Sequence, residues 1–510
     1  MNKNFYITTP IYYPSANPHM GHAYTSIISD VFARFKKIDG YKVHFLTGTD
    51  EHGLKIQRAA ESNKMKPLEF CDKISETFKD LCKTLNLSNT DFIRTTENRH
   101  KESVQHLWKE LEKSGDIYLS KYSGWYSVSD EAFYNEDEIE SKNNTKISKI
   151  SGSLVEWVEE ESFFFKLSKW GPKLLDYYEK NPNFILPKSR KNEVVSFVKS
   201  GLKDLSISRK SFSWGIEVPS NSEHVIYVWL DALTNYISAL NHPNTHDDLY
   251  KNFWPADVHI IGKDILRFHA VYWPAFLLAA KIPLPKRIYG HGWILSGDEK
   301  MSKSKGNILD PLEIIDNYGL DPLRYYLVKE VSFGNDGNIS RDKLEDCINS
   351  DLANNFGNFC QRVTAFNEKN CDLKVPECDK FQDDDNKILN NFSDNIGNIR
   401  NFIDDQKLNS YVDFIVNALF SANKYFNDQE PWKKKNDKKR LNTIVFVSLE
   451  LIRKISIMLY PIVPSSTIKS LSIFNIKEND ISFETIKNHK YLKANSKISK
   501  VEILFKKIIK

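Results

Sequence analysis

The tightest constraint on this chain lies in its first fifty residues. Phe5-Tyr6-Ile7-Thr8-Thr9 is a short β-prone run. A turn rich in proline follows (Pro10, Pro14, Pro18), then a helix-like stretch over residues 21–35. Val43-His44-Phe45-Leu46-Thr47 is a second strand candidate, ending at Gly48-Thr49-Asp50. Strand, crossover helix, strand is the pattern of a parallel α/β sheet.

That rhythm is lost over residues 116–224, which hold β-prone pieces such as Trp125-Tyr126-Ser127-Val128, a polar stretch, and two Trp-Gly pairs. It resumes at Val225-Ile226-Tyr227-Val228-Trp229, and Val258-His259-Ile260-Ile261-Gly262 and Arg287-Ile288-Tyr289-Gly290 resemble further strand ends. Beyond about residue 335 the spacing turns helical. Leu344, Ile348, Leu352, Phe356, Phe359, Val363 and Phe366 alternate threes and fours, as one helix face requires. Phe392, Ile396, Ile399 and Ile403 repeat the pattern; residues 374–387 are acidic, carry Pro376 and read as a loop. The expectation is a Rossmann-type parallel-sheet domain (residues 1–115 and 225–335) split by an inserted domain (116–224), then an all-α helix bundle (336–510).

At 510 residues the chain is long enough for about three domains. A net charge of +4 is too mild to signal nucleic-acid binding by itself, although a local patch would escape that total. The six cysteines show no CxxC spacing, which points to free thiols in a reducing compartment, the cytoplasm. The strand at Phe5 and the residues at His19 leave no room for a removable leader. Residues 443–463 are apolar but carry Glu450, Arg453 and Lys454, which suits a bundle helix better than a membrane span.

Two short motifs suggest chemistry. His19-Met20-Gly21-His22 stands after a strand at the start of a helix. A helix N-terminus attracts phosphate, and both imidazoles could donate to phosphate oxygens as charge builds. Gly21 would let a flat base approach the backbone. Lys300-Met301-Ser302-Lys303-Ser304 suits a loop closing on polyphosphate, with lysine as a mobile point charge. Each motif alone has a bland alternative: a chance HxGH, or a solvated basic loop.

Together, in this order within an α/β pattern, the two motifs resemble the signature of class I aminoacyl-tRNA synthetases. Thr9-Pro10-Ile11-Tyr12-Tyr13, Thr47-Gly48-Thr49-Asp50-Glu51-His52-Gly53, Tyr227-Val228-Trp229-Leu230-Asp231-Ala232, Ile261-Gly262-Lys263-Asp264-Ile265 and Phe268-His269-Ala270-Val271-Tyr272-Trp273-Pro274 are similar to the methionine branch of that family. The resemblance implies that Asp50 binds the substrate ammonium. It implies a side-chain pocket of Ile11, Tyr13, Trp229, Ala232, Leu233, Tyr236, Ile265 and His269. Aromatic rings and one carboxylate suit a thioether amino acid, although plain core packing would also account for Trp229 and Tyr236. ATP, carried with Mg²⁺, would meet His19, Gly21, His22, Lys300, Met301, Ser302 and Lys303, with His19, His22, Lys300 and Lys303 catalytic. Trp432 resembles an anticodon-stacking tryptophan. Asn358 and Arg362, four apart on one helix face, resemble its partners, or else form an ordinary polar surface.

The resemblance further implies L-methionine, ATP and methionine-accepting tRNA, the initiator included, as ligands, with no membrane and a monomeric state. In one respect the chain departs from many relatives, which hold zinc in the insert on CxxC pairs. Here Ser127 and Asp130 stand where cysteines would, so no structural zinc is expected. A sibling synthetase for another amino acid would share both signature motifs but lack the Asp50 and Trp229 contexts. A small nucleotidyltransferase would need no helical domain, and a silent tRNA-binding paralogue would be expected to lose His19, His22 or Lys303.

Overall fold

A computed structural model describes residues 3–15, 17–130, 132–142, 145–296, 299–300 and 309–509. The chain divides into two compact units: residues 4–29 with 43–291, and residues 1–3 with 30–42 and 292–510.

The first unit is built on a six-stranded sheet. Its strands are β1 (Asn4–Thr8), β2 (Lys42–Thr49), β3 (Asp91–Arg94), β4 (Ile185–Leu186), β5 (Val258–Gly262) and β6 (Ile288–His291). They lie in the order β3-β2-β1-β5-β6-β4. The pairs β1/β5, β5/β6, β6/β4 and β2/β3 all run parallel. Such strands are covered on both faces and read as near-continuous apolar runs; Phe5, Tyr6, Ile7, Ile260, Ile261 and Ile288 are all buried. Gly48 is dictated by the pairing, because a Cβ there would stand 2.0 Å from the Ile93 carbonyl oxygen.

Helix α1 (Met20–Ile38) follows β1; α2 (Leu54–Ser62) and α3 (Asn98–Lys113) follow the next two strands. The stretch expected as an insert contains an antiparallel sheet of Leu205–Ser206, Glu156–Phe165, Ile117–Ser127 and Ala132–Tyr134. It also supplies β4, the edge strand of the main sheet. Hydrogen bonds to Asp130 hold its turn. The carboxylate accepts from Tyr134 Oη (2.8 Å), Ser151 Oγ (2.5 Å) and Ser153 Oγ (2.9 Å), and its backbone N–H donates to Ser127 Oγ (3.2 Å). Val228-Trp229 is not strand: the preceding strand ends at Ile226 and α4 (Val228–Leu233) begins two residues later. The antiparallel partner, Ser208–Arg209, pairs only as far as Ile226.

The second unit is mainly helical. Leading elements are α5 (Leu320–Glu330), α6 (Asn358–Cys371), α7 (Asp383–Asp394), α8 (Leu408–Asp428), α9 (Lys438–Leu459) and α10 (Pro464–Ser472). α7 starts inside the acidic stretch expected as a loop. Gln382 and Asp385 form a reciprocal capping box there, and three acidic residues favour a helix N-terminus. α9 packs against α6, α7, α8 and α10. Its charged residues are buried but partnered. Arg453 Nε donates to Glu450 (2.8 Å), the Leu492 N–H donates to Glu450 (2.7 Å), and Lys454 donates to the Asn488 carbonyl (2.9 Å). Among the described residues, no helix is long and apolar enough to cross a membrane.

Asp30, in the part of α1 counted with this unit, is wholly buried between two guanidinium groups. Arg34 Nε and Arg324 Nη2 each lie 2.7 Å from its Oδ2. Arg324 also donates to the carbonyls of Pro461 (3.0 Å) and Ile462 (2.8 Å). Removing one partner of a buried ion pair leaves an uncompensated charge. We expect Asp30→Ala to cost about 3–5 kcal/mol, read as a lowered midpoint in urea titration followed by tryptophan fluorescence and circular dichroism. An unchanged midpoint would show that water reaches the two arginines.

Candidate functional site

After β1 the chain runs on beside β2. The Thr9 N–H donates to the Leu46 carbonyl (3.0 Å), the Tyr12 N–H to Gly48 (2.9 Å) and the Asp50 N–H to Tyr12 (2.9 Å). Asp50 is thereby fixed at the carboxyl end of a central strand, where open parallel sheets bind ligands. It is 2% exposed.

The next two residues pin that turn. Glu51, fully buried, accepts from Arg94 Nε (2.7 Å) and Nη2 (3.0 Å), from Thr49 Oγ1 (2.7 Å) and from Thr96 Oγ1 (2.5 Å). His52 Nδ1 lies 2.7 Å from one oxygen of Asp231 on α4; His100 Nε2 on α3 lies 2.7 Å from the other. Burial opposes ionisation of Asp231, but the two imidazoles hold its carboxyl below the usual carboxylate range. The turn carrying Asp50 and the helix carrying Trp229 and Ala232 are thus joined by one buried carboxylate. Glu51, Arg94, His52, His100 and Asp231 were not among the expected site residues. Glu51, His52 and Asp231 stood in the Asp50-Glu51-His52 and Trp229-Leu230-Asp231 motifs, as polar residues beside the expected ligand contacts, whereas Arg94 and His100 lie outside every quoted motif.

Trp229, Ala232, Leu233, Tyr236 and His269 are all buried. Trp229 stacks flat on Phe268, with ring centroids 3.6 Å apart. Ile11, Tyr13 and Ile265 are half-buried and pack against the same apolar cluster as Trp229, Leu233 and Tyr236. The structure therefore brings all these expected pocket residues into one unit. His269 has a defined tautomer. Its Nδ1 lies 2.9 Å from the Ile265 carbonyl oxygen and must donate; its Nε2, 2.7 Å from Tyr236 Oη, must accept. Burial pushes His269 down to about 4, so the ring is neutral at pH 7. Behind it, His259 stacks on Tyr236 at 4.1 Å and meets Thr8 Oγ1 at 2.8 Å.

At the start of α1 both imidazoles face their own backbone. His22 Nδ1 accepts from the His19 N–H and His19 Nδ1 from the Gly21 N–H, each at 3.1 Å. The rings stack at 3.8 Å. A neutral imidazole accepting at Nδ1 carries its proton on Nε2, which makes each ring an Nε2–H donor. Burial, then the charges of His19 and Lys55, hold His22 well below its ordinary range. A Cβ at Gly21 would stand 3.0 Å from His19 Cε1, so a larger residue would press the His19 ring out of this arrangement by a few tenths of an ångström. Met301, Ser302 and Lys303 lie outside the described residues, as does the side chain of Lys300.

In the helical unit, Asn358 opens α6, and Arg362 Nη2 donates to Asn427 Oδ1 on α8 (2.5 Å). Arg362 also sits 5.6 Å over the Phe426 ring, which meets the Trp432 ring edge-on at 6.2 Å. Trp432 is 41% exposed, so a planar group could still reach it.

Comparison with known proteins agrees with this geometry. Residues 5–364 match the family model described as tRNA synthetases class I (M). Residues 375–510 match the anticodon binding domain of methionyl tRNA ligase. The methionine–tRNA ligase of Rickettsia felis is 49% identical over 99% of this chain and 98% of its own length. That of Brucella suis is 48% identical over 95% and 94%. A Mycobacterium tuberculosis methionyl-tRNA synthetase in complex with methionyl-adenylate superposes with a TM-score of 0.96 at 44% identity, covering 99% of each chain.

Burial sets a pH dependence. His44, His242 and His269 are each pushed down to about 4. In the unfolded chain these rings titrate near ~6.5. Their contribution to stability is therefore full above that value and is lost as pH falls from it towards 4. The urea midpoint should decline steadily between pH 7 and pH 5; a midpoint constant over that interval would contradict the buried neutral rings.

Proposed function

The chain belongs to the methionyl-tRNA synthetase family of class I aminoacyl-tRNA synthetases, and from that premise we propose how its residues divide the work. The enzyme activates L-methionine and transfers it to tRNA. One observation carries our assignment of the site. Tyr12 joins its two halves: the Tyr12 ring lies 4.6 Å from His22, and the Tyr12 carbonyl accepts the Asp50 N–H at 2.9 Å.

Asp50 pairs with the methionine ammonium. Ile11, Tyr13, Trp229, Ala232, Leu233, Tyr236, Ile265 and His269 hold the side chain, with the thioether against polarizable rings. The methionine carboxylate, already ionised, attacks the α-phosphorus of ATP. The bond to pyrophosphate breaks, and methionyl-adenylate forms without a protein base. Catalysis is then positioning and charge stabilisation. His19 and His22 donate through Nε2–H to phosphate oxygens over Gly21. Lys300 and Lys303, with Met301 and Ser302 between them, close on the departing pyrophosphate. Mg²⁺ arrives with the nucleotide. Carried by the nucleotide, it would be held by ATP oxygens and would offset part of the charge on the departing pyrophosphate. A ribose hydroxyl of the terminal tRNA adenosine then attacks the adenylate carbonyl, and AMP leaves.

Trp432, Arg362 and Asn358 read the anticodon of methionine-accepting tRNAs, the initiator included. We assign residues 1–115 and 225–335 to catalysis, 116–224 to the insert and 336–510 to anticodon binding. The insert needs no zinc in this reading, because serine hydroxyls and one carboxylate already bond one another around Asp130. A cytoplasmic monomer fits the six free cysteines.

Pyrophosphate exchange run with each standard amino acid tests the substrate. Exchange with methionine alone is expected; exchange with another amino acid would sink the pocket assignment. Lys303→Ala should slow activation about 10²–10³-fold while methionine affinity, by equilibrium dialysis, barely moves. A normal activation rate would refute the role given to Lys303. Chelation with EDTA should leave the melting temperature of the ligand-free protein unchanged, and a drop would reveal a structural metal.

A further inference from the structure

The exposed stripe of α8 is polar (Asp413, Asn417, Ser421, Lys424, Asn427, Asp428) except at one place. Phe420 stands in it 60% exposed. A lone exposed apolar residue ordinarily needs no explanation. Its position supplies one here. Phe420 and Asn427 are seven residues apart, so they share one face of α8 and are separated by about 10 Å along it. Asn427 is the residue that accepts from Arg362, beside the Phe426–Trp432 ring pair. One turn from Phe420, Asn423 Nδ2 donates to Asn355 Oδ1 at 2.7 Å, tying α8 to the helix that runs into Asn358. The strip therefore reads, in order, aromatic ring, amides, guanidinium, aromatic ring.

Its charge suits one kind of occupant. Lys424 lies between the rings, and Lys433, Lys434, Lys435, Lys438 and Lys439 follow Trp432 directly, all of them exposed. Three of these six lysines are paired: Lys424 meets Asp428 at 2.6 Å, Lys433 meets Glu430 at 2.8 Å, and Lys439 is 4.0 Å from Asp379; Lys434, Lys435 and Lys438 remain to meet phosphate. A basic surface that presents separate aromatic rings is built for single-stranded nucleic acid, whose bases stack and whose phosphates seek cations. With a rise of about 3.4 Å per stacked base, the stretch of about 10 Å along α8 between Phe420 and Asn427 spans a few nucleotides of a loop.

We infer that Phe420 is a second base-stacking contact for the tRNA anticodon loop, holding a nucleotide beyond the one assigned to Trp432. The inference rests on the anticodon reading of Trp432 and extends it. Phe420 acts through its π-face, so an apolar side chain without one does not replace it.

The test compares Phe420→Ala, Phe420→Leu and Phe420→Tyr with Trp432→Ala in full-length protein, on a methionine-accepting tRNA transcript. Loss of one stacked base should raise the KM for tRNA roughly ten-fold in the Ala and Leu variants. The Tyr variant should stay near wild type, and methionine-dependent pyrophosphate exchange should be unchanged in all three. If Phe420→Leu charges as well as Phe420→Tyr, or Phe420→Ala is normal while Trp432→Ala is impaired, the inference about Phe420 is wrong and the anticodon reading stands. If neither Phe420→Ala nor Trp432→Ala changes the KM for tRNA, the anticodon reading fails, and the inference with it.

Discussion

In the role proposed for it, Asp50 has to be both charged and immobile, and the turn after β2 meets the second requirement. Asp50 is almost wholly enclosed. A buried carboxylate on a loose loop would rotate towards water or take up a proton. Its two neighbours prevent rotation by separate means. Glu51 is clamped by a two-point guanidinium contact from Arg94 and by two threonine hydroxyls. His52 is fixed to Asp231. Gly48 lets β2 and β3 approach at the distance where Arg94 meets Glu51. The rigidity of the turn that carries Asp50 is thus a property of strand pairing as much as of the loop itself.

The same economy governs the imidazoles. His269 and His22 are held neutral, chiefly by burial. Each has its Nδ1 committed to the backbone, in opposite senses: His269 donates there and His22 accepts. Those backbone bonds decide what the other nitrogen does. His269 becomes an acceptor for Tyr236, which orders that ring. His22 becomes a donor at the mouth of a helix. One residue type thereby serves as an acceptor inside a buried cluster and as a donor at a helix start, with the local carbonyl or N–H selecting the role.

How much of this was legible in the sequence depended on the range over which each feature is encoded. The parallel sheet, the bundle and both signature motifs are local patterns, and the alternation of strand and helix was readable from apolar spacing. The residues proposed for the pocket were singled out through their flanking motifs. Three things were not. The contact of Asp231 with His52 spans 179 residues, and that with His100 spans 131; no spacing rule connects them. The edge strand β4 is two residues long, too short for any periodicity. The switch from strand to helix at Val228 is hidden, because Val225-Ile226-Tyr227-Val228-Trp229 is β-prone throughout. Tertiary context decides it: Ser208–Arg209 offers pairing only as far as Ile226. Propensity yields to partner availability there.

The turn around Asp130 shows how a local constraint can be met by different chemistry. A metal knuckle fixes a turn by drawing four ligands to one point. A carboxylate accepting three hydroxyls, with a serine closing the turn behind it, draws the chain to one point as well. Each such bond is individually modest, worth about 1 kcal/mol net and somewhat more to a charged acceptor. The arrangement therefore depends on several bonds acting together and on the strands around it. Trp125 and Trp157 face one another across the same antiparallel pair, and Tyr126 beneath them is buried. That pairing runs as far as Tyr126 opposite Glu156, so the turn leaves a paired strand and Asp130 has only to close it.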